Sequence, residues 1–130
     1  MIRLPGRTDS GDKGYLAWNQ ASNRYGWKSY LGRRSGASDL PAYAVPTQRK
    51  DLASLPPAWI GVGTLDLFYE EDLAYAQRLK DCGVECEVVV VPGAFHGFDV
   101  MASTSQVVRD FRKSQIAALK RGLFPMPQSA

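Results

Sequence analysis

The residues best placed to do chemistry are His96 and Asp66. His96 is the only histidine of the chain and sits in Pro92-Gly93-Ala94-Phe95-His96-Gly97-Phe98, directly after four consecutive valines. Asp66 ends Gly63-Thr64-Leu65-Asp66, directly after a short apolar run. A carboxylate that accepts the Nδ1 proton of a histidine fixes its tautomer, turns Nε2 toward a substrate and stabilises the imidazolium formed in proton transfer. The glycines beside His96 let the loop turn sharply and bring the ring close to a ligand. Each residue also has an ordinary use: a lone loop histidine is often structural, and an aspartate after a strand often caps a helix. Spacing alone leaves both uses open.

Three elements must position the pair. Residues 58–62 form an apolar run opened by Pro57 and closed by Gly63, which suits a strand. Residues 70–80 place Leu73, Ala76 and Leu79 at helical spacing, and Cys82-Gly83 ends that helix. Residues 86–91 are the second strand, where the valine run puts apolar side chains on both faces, as in a parallel sheet covered by helices on both sides. Strand, helix, strand is a βαβ crossover, so the two strands are parallel neighbours and their carboxyl ends share one edge of the sheet. Neighbouring strands run roughly 5 Å apart, so Asp66 and His96 can meet at the edge where open α/β sheets collect their active sites. Val107, Val108, Phe111, Gln115, Ala118 and Leu119 then recur as one stripe of a C-terminal helix ended by Gly122, with Pro125 shortly after.

The first half is less regular. Residues 1–15 read as loop, and residues 16–31 read as a helix carrying Trp18, Tyr25, Trp27, Tyr30 and Leu31 and stopped by Gly32. Residues 32–57 hold four of the eight prolines and read as an extended connection with one helical turn at 50–54. The fold class expected is α/β: a βαβ unit plus a C-terminal helix over residues 58–122, preceded by a helical and irregular half, 1–57.

Composition narrows the function classes. The 130 residues are 45% apolar and 11% aromatic, enough for one globular core. The net charge of +3 comes from Lys and Arg scattered among 13 acidic residues; pairs such as Arg33-Arg34 and Lys120-Arg121 are too short to make a nucleic-acid face. Cys82 and Cys86 make no disulfide framework, and with one histidine a Cys/His zinc site lacks ligands, so no metal is expected. No apolar run nears the roughly 18 residues that span a bilayer, and MIRLPGRTDS lacks the apolar core of a signal peptide. A soluble, cytoplasmic protein is expected.

The stretch LPPAWIGVGTLDLFYEEDLAYAQRLKDCGVECEVVVVPGAFHGFD, residues 55–99, resembles the C-terminal part of the hormone-sensitive-lipase-like carboxylesterases among the α/β-hydrolases. The features recur in order: Leu-Pro-Pro before the strand, Gly-x-x-Asp at its end, Glu71 five residues later, Ala-Tyr-Ala-x-x-Leu in the helix, and Pro-Gly-x-x-His-Gly-Phe after the next strand. Upstream, WNQASNRYGWKSYLG resembles the helix that precedes this region in the same family, so the similarity covers most of residues 18–120. It implies Asp66 as triad acid and His96 as triad base of an ester hydrolase that needs no cofactor. Phe68, Phe95, Phe98 and Met101 flank the pair and are candidates to wall an acyl pocket, with ordinary packing beneath the loops the competing use.

The resemblance also calls for a serine in a Gly-x-Ser-x-Gly elbow and an upstream His-Gly-Gly oxyanion loop, and neither motif occurs. Thr8-Asp9-Ser10-Gly11-Asp12 has no strand before it and reads as loop. Cys86 reads as a small buried apolar residue, and Cys82 sits at a helix end whose dipole disfavours a thiolate. Chain order in this fold runs Ser, Asp, His, so the expectation is a piece lying after the nucleophile, with MIRLPGRTDS loosely resembling the loop after the sixth strand and a serine-bearing frame upstream. Such an incomplete domain leaves a sheet edge open, through which a homodimer is expected; Trp18, Trp27 and Trp59 are expected on the uncovered surface. The alternative is a non-catalytic hydrolase-like module for self-association or partner binding.

Overall fold

The computed structural model describes residues 13–32, 40–41 and 43–124. Its elements are α1 (Gln20–Leu31), a 3-10 turn (Pro46–Gln48), β1 (Ala58–Gly63), α2 (Tyr69–Asp81), β2 (Cys86–Val91), α3 (Phe98–Met101) and α4 (Gln106–Leu123). β1 and β2 pair in parallel, with Ala58 opposite Cys86 and Gly63 opposite Val91. Among the described residues the sheet has these two strands alone.

The valine run is two-sided, as its composition requires. Cys86 and Val88 join Ala58 and Ile60 against α2, in a core of Leu52, Ala76, Leu79 and Val84. Val89 and Val91 join Trp59 on the opposite face against Val108 and Phe111 of α4. Arg78 of α2 fastens the irregular connection by donating to the carbonyl oxygens of Thr47 (2.6 Å) and Arg49 (2.5 Å).

Several boundaries differ from the sequence reading. α1 starts at Gln20 rather than 16: Ala17 has φ 61°, outside helical geometry, and the Asn19 side chain caps the helix by accepting from Ser22 N–H at 3.0 Å. In place of the helical turn expected at 50–54 there is a single hydrogen-bonded turn, Leu55 N–H donating to Leu52 O at 3.1 Å, and a 3-10 turn forms upstream at Pro46–Gln48, where the proline ring fixes the first residue. After it, the Asp51 carboxylate accepts from Ala53 N–H, and Leu52 is driven into the core at 0% exposure. α4 runs through Gly122 to Leu123, because a glycine weakens a helix without forbidding it. The tryptophans do not form an uncovered surface. Trp27 is 1% exposed, and Trp59 is wedged beside Phe111 with Nε1 donating to Ser114 Oγ at 3.0 Å; Trp18 is half-buried. Large rings find neighbours that composition cannot name.

Candidate active site

The two loops at the carboxyl edge are laced together. Thr64 N–H donates to Val91 O (3.1 Å), Leu65 N–H to Ala94 O (3.0 Å), and Gly93 N–H to Thr64 Oγ1 (2.9 Å). Gly93 and Gly97 bracket His96 at φ 71° and 73°, a left-handed conformation that costs other residues about 1 kcal/mol or more. Within this frame His96 Nδ1 lies 3.0 Å from Asp66 Oδ2. The other carboxylate oxygen, Oδ1, accepts from Phe68 N–H at 2.9 Å, so the acid is aimed from both ends. The Asp66 side chain is 10% exposed and that of His96 40%, which leaves the imidazole as the member of the pair open to a reactant. With Nδ1–H donating to Asp66, Nε2 is the basic nitrogen.

His96 forms part of the wall of a cleft of about 350 Å³, with Trp18, Asn23, Gly26, Trp27, Tyr30 and Phe68. The Phe68 ring stands edge-on to the imidazole at 5.4 Å and the Trp18 ring is tilted at 6.0 Å. Of the four aromatic and sulfur candidates read from sequence, only Phe68 faces this cleft. Phe98 is 8% exposed and stacks edge-to-face on Phe111 at 4.9 Å inside the α4 core, where Phe95 also packs. Met101 is 70% exposed on α3. The short helix α3 causes this redistribution: it turns the chain immediately after Gly97, sending Phe98 inward and Met101 out. The cleft residues of α1 were not read as site residues. The signal was present, since Asn23, Gly26, Trp27 and Tyr30 fall at i, i+3, i+4 and i+7 on one helix face, with a glycine opening space among the rings.

That wall depends on the α1 cap. Asn19→Ala leaves Ser22 N–H without its acceptor and is expected to cost about 1 kcal/mol. A urea midpoint lowered accordingly, with loss of tryptophan fluorescence structure, is the check.

Asp72, in the first turn of α2, is 6% exposed, and its buried Oδ1 has no hydrogen-bond partner among the described residues. Burial pushes its carboxyl up to about 6; the neighbouring Asp66 and Glu71 carboxylates push the same way and His96 opposes them. Because the folded value lies above the ordinary 3.8, this group favours folding below about pH 4, and that contribution is lost as pH rises through 6. Asp72→Asn is therefore expected to raise Tm above pH 6 and to change it little below pH 4.

Burial pushes the Cys86 thiol up, away from a reactive thiolate, and Cys82 packs against the α2 core. Among the described residues no three His, Cys, Asp or Glu side chains are grouped to hold a metal ion. Ser10 and the rest of residues 1–12 lie outside the described residues. No described helix is long and apolar enough to cross a membrane.

A profile of the α/β-hydrolase fold matches residues 4–100. Carboxylesterase NlhH of Mycobacterium tuberculosis is 34% identical over 122 residues, which cover 94% of this chain and 38% of that protein. Among solved structures, esterase LipW from Mycobacterium marinum is 32% identical with a TM-score of 0.74, over 84% of this chain and 33% of its own. The Pyrobaculum calidifontis esterase is 26% identical with a TM-score of 0.75, over 95% of this chain and 40% of its own. The chain thus spans well under half the length of these relatives. A sheet-edge Asp and His on a βαβ unit, in a sequence that matches these proteins over most of its length, places the chain in the α/β-hydrolase fold family, in its hormone-sensitive-lipase-like branch of carboxylesterases.

Proposed function

We propose that this chain is the acid–base arm of a serine carboxylic ester hydrolase. The observation that carries the reading is the 3.0 Å pair of buried Asp66 and half-exposed His96 at an aromatic cleft. In the complete site a serine hydroxyl attacks the ester carbonyl while His96 Nε2 takes its proton. The alcohol leaves with that proton, and an acyl-enzyme remains. His96 then takes a proton from water, the hydroxide adds to the acyl carbon, and the proton returns to serine as the acid departs. Asp66 orients the ring and stabilises the imidazolium in both halves. The serine and the oxyanion donors of the complete site are supplied by another segment, and residues 1–130 make up one incomplete hydrolase domain. Trp18, Trp27 and Phe68 favour an apolar acyl or alcohol group in the cleft, and two free cysteines suit a reducing, cytoplasmic setting.

The test is a chimaera in which this chain replaces the matching 122 residues of the Mycobacterium tuberculosis relative. Nitrophenyl acetate turnover that disappears with His96→Ala is the expected result, and a folded, monodisperse chimaera without turnover overturns it. The isolated chain is expected to show no His96-dependent turnover. A second reading, a non-catalytic module pairing with another copy through a sheet edge, draws on the two strands having no further strand neighbours among the described residues. It predicts a defined dimer in sedimentation and an inactive chimaera.

A further inference from the structure

Asp72 occupies a costly position for an ionisable group: it is 6% exposed, and Oδ1 has no hydrogen-bond partner among the described residues. One residue ties it to the catalytic pair. Phe68 donates its N–H to Asp66 Oδ1 at 2.9 Å, accepts Asp72 N–H on its carbonyl oxygen at 2.8 Å, and sets its ring edge-on to His96. Asp72 is thus held in the same turn that aims the triad acid.

We propose that Asp72 is a positioning residue for His96 that acts through its charge: ionised, it adds a second carboxylate to the field that holds the imidazolium, and protonated, it withdraws that charge. The inference rests on the reading of His96 as general base and concerns its regulation by pH. Among the described residues, the charged groups around Asp72 are Asp66 from the loop after β1, Glu71 from α2 itself and His96 from the loop after β2. Burial and the two carboxylates favour the protonated form, while His96 is among the groups that favour the ionised one. Coupling between two protonation sites is reciprocal, so whatever the imidazolium contributes to ionising Asp72, the Asp72 carboxylate contributes to protonating His96. The low-dielectric surroundings of a buried carboxylate let this act without direct contact.

Because the chain has a single histidine, its imidazole Cε1–H resonance can be followed by NMR without ambiguity. The titration midpoint of His96 is expected to fall by roughly half a unit to one unit in Asp72→Asn, a 3- to 10-fold loss of proton affinity. Asp72→Glu retains the wild-type midpoint, as does Asp81→Asn, which removes an exposed carboxylate from the far end of α2. A folded Asp72→Asn variant whose His96 midpoint stays within about 0.1 unit of wild type overturns the proposal. Should Asp72→Asn not fold, the wild-type chain decides: the Asp72 carboxyl carbon is expected to titrate near pH 6 with a matching inflection in the His96 curve, and a simple one-proton His96 curve through that range overturns it. Turnover by the chimaera is a separate measurement, so loss of the coupling leaves the hydrolase reading standing, and an inactive chimaera leaves the coupling measurable.

Discussion

Asp66→Asn in the active chimaera lowers kcat by about 10⁴-fold with little change in KM. The amide retains the size of the carboxylate, so Oδ1 can still accept from Phe68 N–H and the turn before α2 remains. What changes is the partner of His96 Nδ1. An amide nitrogen turned toward the ring holds the wrong tautomer, with Nδ1 as acceptor and a proton on Nε2, which then cannot take one from serine. An amide oxygen turned that way keeps the tautomer but no longer carries the charge that stabilises the imidazolium, and Phe68 N–H loses its acceptor. Stopped-flow or steady-state hydrolysis of nitrophenyl acetate reads the loss. A decrease of less than about tenfold means that Asp66 is a structural cap and that His96 works without it.

Gly63→Ala is expected to be the most damaging glycine-to-alanine change among the described residues. A Cβ built at Gly63 falls 2.1 Å from Ala94 O and 2.5 Å from Ala94 C, both backbone atoms of the loop that carries His96. No side-chain rotation relieves such a clash, so β1 and the loop must separate. Separation breaks the Leu65 N–H to Ala94 O bond and draws His96 away from Asp66. A loss of about 3 kcal/mol is expected, at the upper end for overpacking. The urea midpoint gives the stability, and the His96 resonance gives the geometry. Gly122→Ala, which meets no atom within 4 Å in the last turn of α4, serves as the control and is neutral or slightly stabilising. If the two variants behave alike, the close approach of the two loops is not what holds the site.

Local order was legible in the residues alone. The valines of β2, the Leu73, Ala76 and Leu79 stripe of α2, and the glycines that close β1 and flank His96 are short-range patterns, and each produced the element expected of it. Chirality does the rest: a crossover between neighbouring strands is right-handed and parallel, so two loops that follow those strands share one rim and their Asp and His can meet. The walls of the cleft, by contrast, come from packing between distant elements. Trp18 and Trp27 reach His96 and Phe68 across about 40 to 80 residues of chain, a distance at which periodicity carries no information. Likewise Phe98 and Met101 differ in fate because four residues of helix rotate one toward Phe111 and the other toward solvent. Which side chains line a cleft depends on packing between elements, and packing is settled by the volumes of partners far away in sequence.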